Sequence, residues 1–109
     1  MEVDMKPRIK APATAAAGEV VEIKTLISHP MESGQRKDIA GKIVPRKIIN
    51  KFTCTYNGRD VISIRLEPAI SANPYIAFYL KVMESGTLEF TWLDDDGSAY
   101  KAQHTIAAS

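Results

Sequence analysis

The feature that most constrains the fold is a repeated alternation of apolar and polar residues, with no stretch long enough for a stable helix. Residues 19–27 (EVVEIKTLI) and 75–82 (YIAFYLKV) show it clearly. A period of two residues is typical of a β-strand with one buried and one solvent-exposed face. The chain is therefore predicted to be all-β.

A second signal fixes how two of these runs pair. Asn57-Gly58 separates the alternating runs 48–56 and 60–66. Both residues tolerate the positive φ of a type I′ turn, so this dipeptide predicts a tight hairpin. The turn at 94–97 predicts a second hairpin between the last two strands.

Turn spacing then predicts the architecture. Seven strands are expected, at 7–11, 19–27, 48–56, 60–66, 75–82, 88–92 and 98–106. Short strands at such spacing are typical of an immunoglobulin-like antiparallel β-sandwich. We expect one domain, residues 7–109, after a flexible N-terminus, residues 1–6. Its predicted core contains Trp92, Phe90, Phe78, Ile64 and Ile23.

Composition narrows the function classes. The chain has 109 residues, a net charge of +1 and one cysteine, Cys54. A single cysteine permits no intramolecular disulfide, so packing must support the sandwich. A near-neutral charge argues against a nucleic-acid binder. The N-terminal residues MEVDMKPRIK contain no apolar run, so we expect neither a signal peptide nor a membrane anchor there.

Positive charge is nevertheless concentrated in one segment, residues 28–51. This basic segment holds six basic and two acidic side chains, a local balance of +4. Much of it lacks regular periodicity, and long connections of this kind are often binding loops. Two interpretations stay open for Arg36, Lys37, Arg46 and Lys47. They form either a solvated rim or a surface that meets anionic partners.

Three groupings could carry chemistry, and each has a simpler interpretation. Asp94 to Asp96 suggest calcium, but the spacing does not match an EF-hand loop, and an exposed hairpin turn is expected. Cys54 with His29 or His104 suggests a thiol enzyme or metal site, but Cys54 continues an apolar row and is expected to be buried. His29 with Met31 resembles a copper pair only in composition. No cofactor or metal is predicted.

Several longer strings carry a family resemblance. They are EVVEIKTLISHPMESGQRKD, PRKIINKFTCTYNG, LEPAISANPY and FTWLDDDGSAY. Together they closely resemble the SoxZ family of bacterial sulfur oxidation, over nearly the whole chain. The resemblance implies a non-catalytic subunit that pairs with a SoxY-type carrier, which holds sulfur intermediates on a cysteine in a glycine-rich tail. The present tail, AQHTIAAS, has neither cysteine nor a glycine pair.

The resemblance also implies transient docking to enzymes of thiosulfate oxidation and a periplasmic location, reached by export with a signal-bearing partner. For enzyme docking we predict His29, Pro30, Met31, Arg36, Lys37, Arg46 and Lys47. For the SoxY interface we predict Val20, Leu26, Ile49 and Tyr79, apolar residues on the second faces of their strands. No nucleic-acid or membrane partner is expected. The alternative is a thiol- or metal-dependent enzyme that uses Cys54 and His29.

Overall fold

The computed structural model describes residues 7–29, 31–66 and 74–109, and these residues contain eight β-strands. The predicted flexible N-terminus, residues 1–6, lies outside them. The strands are β1 (Pro7–Lys10), β2 (Thr14–Ala15), β3 (Glu19–Ile27), β4 (Ile49–Tyr56), β5 (Arg59–Arg65), β6 (Tyr75–Val82), β7 (Gly86–Asp94) and β8 (Ala99–Ala108). Within the described ranges, no helix is long and apolar enough to cross a bilayer.

The strands form two sheets, as a sandwich requires. One has the order β1-β3-β6, and the other has the order β2-β8-β7-β4-β5. The predicted all-β sandwich is confirmed, with one strand more than the predicted seven. The additional strand, β2, lies where a connection was expected. Thr14 and Ala15 pair in parallel with Ala107 and Ala108, a tertiary contact that two residues without alternation cannot signal.

The core lies between the sheets and is dominated by aromatic rings. The Phe52 and Trp92 ring centroids are 5.1 Å apart, and Phe90 stacks on both rings at 6.3 and 6.1 Å. Trp92, Phe90, Phe78 and Ile23 are buried as predicted. Ile64 is only half-buried, because β5 is the edge strand of its sheet.

The predicted hairpin between β4 and β5 is confirmed. Asn57 and Gly58 have φ values of 53° and 81°, the two positive values that a type I′ turn needs. The Asn57 side chain also reaches the β6–β7 turn. It accepts a hydrogen bond from the Thr87 N–H at 3.0 Å and donates to the Ser85 carbonyl at 3.2 Å.

A β-bulge changes the predicted pattern at the start of β4. Ile49 pairs with Asp94 and Lys51 with Leu93, so Asn50 is the extra residue. An extra residue reverses the alternation on one side of it. Ile49 is consequently fully buried, on the face opposite to the one that strict alternation predicted, and Ile48, which precedes the strand, is also fully buried.

The contact between Asn57 and Gly86 gives the first testable prediction. A Cβ atom added at Gly86 would lie 2.4 Å from Asn57 Oδ1, and moving that side chain would break its hydrogen bonds. We expect Gly86→Ala to lower the free energy of unfolding by about 1–2 kcal/mol. In an Asn57→Gly background the same change should cost about 1 kcal/mol less. Urea unfolding of the four proteins measures this coupling, and an equal cost in both backgrounds would contradict the packing.

Candidate functional site

The basic segment is an ordered arm rather than an irregular loop. We call residues 31–48 the arm. Its two sides pair as antiparallel bridges, Glu32 with Lys47 and Lys37 with Ile43. Reciprocal backbone hydrogen bonds of 2.9 and 2.8 Å join Glu32 and Lys47. The pairing was missed because neither side of the arm carries a two-residue alternation.

The arm ends in a tight turn built around Asp38. Its Oδ1 accepts hydrogen bonds from the backbone N–H groups of Ala40 and Lys42, at 2.9 and 3.0 Å. Gly41 follows with φ of 83°, a conformation that glycine adopts without strain. This turn leaves Ile39 fully exposed at the tip and Ile43 61% exposed beside it.

A buried histidine joins the base of the arm to the end of β7. His29 is fully buried, and its Nε2 lies 2.7 Å from Asp94 Oδ2. The Met31 N–H donates to His29 Nδ1 at 2.9 Å. Because Nδ1 accepts that bond, the ring carries its proton on Nε2 and donates it to the carboxylate. This arrangement fixes the direction in which the chain leaves β3.

Asp94 is the centre of this network. Its Oδ2 also accepts hydrogen bonds from Lys47 Nζ at 3.0 Å and from the Tyr100 hydroxyl at 2.9 Å. Burial alone would raise the pKa of Asp94, but the hydrogen bonds from His29, Lys47 and Tyr100 outweigh burial and lower it. The expectation that Asp94 lies in an exposed turn is wrong, since it is 3% exposed.

The neighbouring Asp95 also holds the C-terminal side of the arm. Its carboxylate accepts from Arg46 Nε at 2.9 Å, from Asn50 Nδ2 at 3.0 Å and from the Ile48 N–H at 3.1 Å. Partial burial opposes the charge, but these donors lower the pKa of Asp95 to about 2. Asp95 is therefore an ionised anchor, which the interpretation of residues 94–97 as a plain turn did not include.

These contacts change the role that can be assigned to the predicted docking residues. Arg46 pairs with Asp95, Lys47 with Asp94 and Asp96, and Arg36 with Glu32 at 2.7 Å. Lys37 forms no ion pair with any other described residue. Much of the positive charge predicted for docking is thus matched within the chain. Pro30 lies outside the described residues.

A sequence signal for this anchor did exist. Asp94 continues the inward row Leu88, Phe90, Trp92, and His29 continues the inward row of β3. Each row would therefore end in a polar group that faces the core. Buried charges need partners, so the two rows together indicate a His–Asp contact. Arg46 and Asp95 offer no such signal, because their contact depends on the path of the arm.

The residues of the thiol and copper hypotheses are buried in the core or form hydrogen bonds within the chain. Cys54 is fully buried, and burial raises the pKa of its thiol to about 12, the opposite of a reactive thiolate. The Met31 sulfur accepts a hydrogen bond from the Ile49 N–H at 3.3 Å. His104 bonds to the Pro12 carbonyl. Among the described residues, no group of three His, Cys, Asp or Glu side chains could hold a metal ion.

A second surface lies on the outer face of the three-stranded sheet. Val20 is 59% exposed and Tyr79 is 68% exposed. Leu26 is half-buried and stands directly opposite the exposed Tyr75. We call these four residues the apolar face. Ile49 is not part of it, because the bulge at Asn50 turns that side chain into the core.

Fold and site together define a small β-sandwich with an anchored arm and an exposed apolar face. A family model described as "Sulphur oxidation protein SoxZ" matches residues 9–105. This chain belongs to the SoxZ family. A search of curated protein sequences gave no match.

Solved structures share the fold at low sequence identity. The sulfur carrier protein SoxY from Chlorobium limicola f thiosulfatophilum has a TM-score of 0.68 and 17% identity, covering 94% of this chain and 78% of its own. A putative superoxide reductase from Thermotoga maritima has a TM-score of 0.76 and 15% identity, covering 98% and 88%. The superoxide reductase (neelaredoxin) from Ignicoccus hospitalis has a TM-score of 0.71 and 20% identity, and the match covers 95% of this chain and 80% of its own. These identities establish a common fold and nothing about activity.

The pKa of Asp95 gives a pH-dependent prediction. It lies at about 2 in the folded protein against an ordinary 3.8, so the ionised carboxylate favours folding. This contribution is fully present above about pH 4 and is lost as the pH falls towards about 2. Because solvent screens this partly exposed carboxylate, Asp95→Asn should lower the free energy of unfolding by about 1 kcal/mol at about pH 7 and have little effect at about pH 2.

Urea unfolding across this pH range measures the difference. Asp60→Asn is the matched control, because Asp60 is exposed and forms no ion pair with another described residue. Equal losses in the two variants at neutral pH would show that Asp95 anchors nothing.

Proposed function

We propose that this chain is the non-catalytic subunit of a sulfur-carrier heterodimer, paired with a SoxY-type protein that carries the sulfur intermediates. Membership of the SoxZ family is the observation that carries the proposal. The chain supports its partner and offers a docking surface to the enzymes that act on the cargo. Thiosulfate oxidation is the pathway that the family resemblance implies.

The apolar face is the surface that best fits the carrier subunit. Val20, Leu26, Tyr75 and Tyr79 lie on adjacent strands, β3 and β6. They form two groups on one face, Leu26 opposite Tyr75 and Val20 diagonal to Tyr79, and exposed apolar groups of this kind are characteristic of protein interfaces. Tyrosine is also enriched among residues that dominate binding energy, because its ring buries a large area and its hydroxyl keeps a polar partner.

The arm is the surface proposed for the pathway enzymes. Its tip presents the exposed Ile39 beside Lys37 and Lys42, and these lysines form no ion pair with another described residue. Charge at such a position chiefly alters association rate and salt dependence. Arg36, Arg46 and Lys47 contribute less charge, because each is paired within the chain. Replacing Arg46 and Lys47 would also disturb the fold, so Lys37 and Lys42 are the better positions for a docking test.

A periplasmic location is part of the same proposal. It rests on the family resemblance and on export together with the carrier subunit. Cell fractionation of a strain that lacks the partner would test it, because the chain should then stay in the cytoplasm.

The alternative, a thiol- or metal-dependent enzyme that uses Cys54 and His29, has less support. A thiol enzyme needs an exposed thiol of low pKa beside its base. Cys54 is buried with a raised pKa, and both ring nitrogens of His29 already bond within the chain.

The apolar face gives a binding prediction. Tyr79→Glu should weaken the heterodimer at least about 30-fold, because an unpaired carboxylate would be buried at the interface. Ile43→Glu is the matched control, since Ile43 is about as exposed but lies on the arm. Affinity for the purified carrier is measured by calorimetry, after thermal unfolding has shown that both variants fold. Loss of binding in Ile43→Glu alone would move the partner interface to the arm.

The thiol alternative gives a separate prediction. Cys54→Ala should leave thiosulfate oxidation by the reconstituted pathway unchanged, because the buried thiol takes no part in it. Loss of turnover with the heterodimer still assembled would favour the enzyme hypothesis over the carrier-support role.

A further inference from the structure

A polar cavity of about 400 Å³ lies beside the start of β4 and the end of β5. It is away from the apolar face and the arm tip. Its described lining is Arg46, Asn50, Lys51, Arg65 and Leu66. Three of these side chains are cationic and none of the five is a carboxylate; because Asp95 pairs with Arg46, the net positive charge comes from Lys51 and Arg65. Such a lining concentrates positive potential in a concave surface, where it acts most strongly on anions.

Two of the cations stand where like charges are unfavourable. Lys51 and Arg65 are directly opposite each other across β4 and β5. Like charges at directly opposed positions of an antiparallel pair destabilise the sheet. Neither side chain forms an ion pair with any other described residue. An anion between them would remove this repulsion and would use both sets of N–H donors.

The surrounding structure holds the third cation and the cavity wall in place. Asp95 fixes Arg46 through hydrogen bonds to Nε and Nη2, at 2.9 and 3.3 Å. The same carboxylate holds the Asn50 side-chain amide, and the Leu66 N–H bonds to the Asn50 carbonyl. Asn50 is the residue of the β-bulge, a feature that re-aims side chains beside functional sites. A site built in this way needs little reorganisation when a ligand binds.

We propose that this cavity binds a sulfur oxyanion, through its –SO₃⁻ oxygens, with Lys51 and Arg65 as the main ligands and Arg46 as an oriented third cation. Planar guanidinium groups match oxyanions through paired N–H donors, and lysine adds a point charge. The choice of a sulfur oxyanion rests on the proposed function in sulfur oxidation. The ligand has two sources, free thiosulfate or sulfate and an S-sulfonate carried on a cysteine of the partner.

The experiment titrates the chain with thiosulfate, sulfate and S-sulfocysteine, with chloride at matched ionic strength, and follows the amide signals of Asn50, Lys51, Arg65 and Leu66 by NMR. The test variant is Lys51→Gln with Arg65→Gln. The control is Arg59→Gln with Lys81→Gln, which removes the same charge. Arg59 lies at the other end of β5, about 20 Å from Arg65, and Lys81 is in the other sheet.

We expect saturable binding by the wild type and the control, and affinity about tenfold weaker in the test variant, as the loss of charge-assisted hydrogen bonds predicts. Binding of the free ions indicates a free ligand, and binding of S-sulfocysteine alone indicates the partner's cargo. Either result supports the site. Equal affinities in test and control variants, or no saturation with any probe, would overturn it.

Assembly with the carrier subunit is measured in parallel, so the two proposals can fail separately. A heterodimer that forms normally with the test variant, while anion binding is lost, would leave the carrier-support role intact. An anion site that behaves as expected in a chain that binds no carrier would leave the site intact and remove the role.

Discussion

The buried carboxylate of Asp94 is the interaction on which the rest of the arm depends. A carboxylate in the core is costly unless donors satisfy it. Three donors from different parts of the chain do so: His29 at the end of β3, Lys47 in the arm and Tyr100 in β8. The same group therefore joins both sheets to both ends of the arm. Removing one partner from such a buried network typically costs about 3–5 kcal/mol of stability. These contacts therefore hold the arm in its position.

Asp94 and Asp95 also explain why a strongly basic segment belongs to a nearly neutral chain. This acidic pair at the end of β7 neutralises the two cations at the base of the arm, Arg46 and Lys47. What remains for partners includes charge that forms no ion pair with another described residue, on Lys37 and Lys42 at the tip and on Lys51 and Arg65 across β4 and β5. Charge counted along a sequence thus overstates the potential that a partner meets, because folding pairs some of it internally.

Local patterns allowed most of the fold to be predicted, and long-range contacts account for what was missed. Apolar alternation and the Asn57-Gly58 turn are local in the sequence and each specifies a backbone conformation, so the strands and the hairpin could be predicted. The short strand β2 forms only because β8 lies beside it, and the bulge at Asn50 reverses an alternation that looks unbroken in the sequence. For the site, the inward rows ending in His29 and Asp94 offered a usable signal. The contact of Arg46 with Asp95, which are distant in the sequence, offered none.

The two proposed surfaces lie on different sheets, and their chemistry explains why this separation is useful. An interface that holds a subunit works by burying apolar area, and cations placed within it would lose their hydration. The outer face of β3 and β6 meets this requirement in part, because Lys24 is paired with Glu22 and Val20, Tyr75 and Tyr79 are exposed, while Lys81 stands opposite Val20 towards one end. An anion site has the opposite requirement, since unpaired cations must stay accessible. Lys51 and Arg65 meet it on the edge strand β5 and its neighbour β4, where a charged ligand can arrive without crossing the partner's interface.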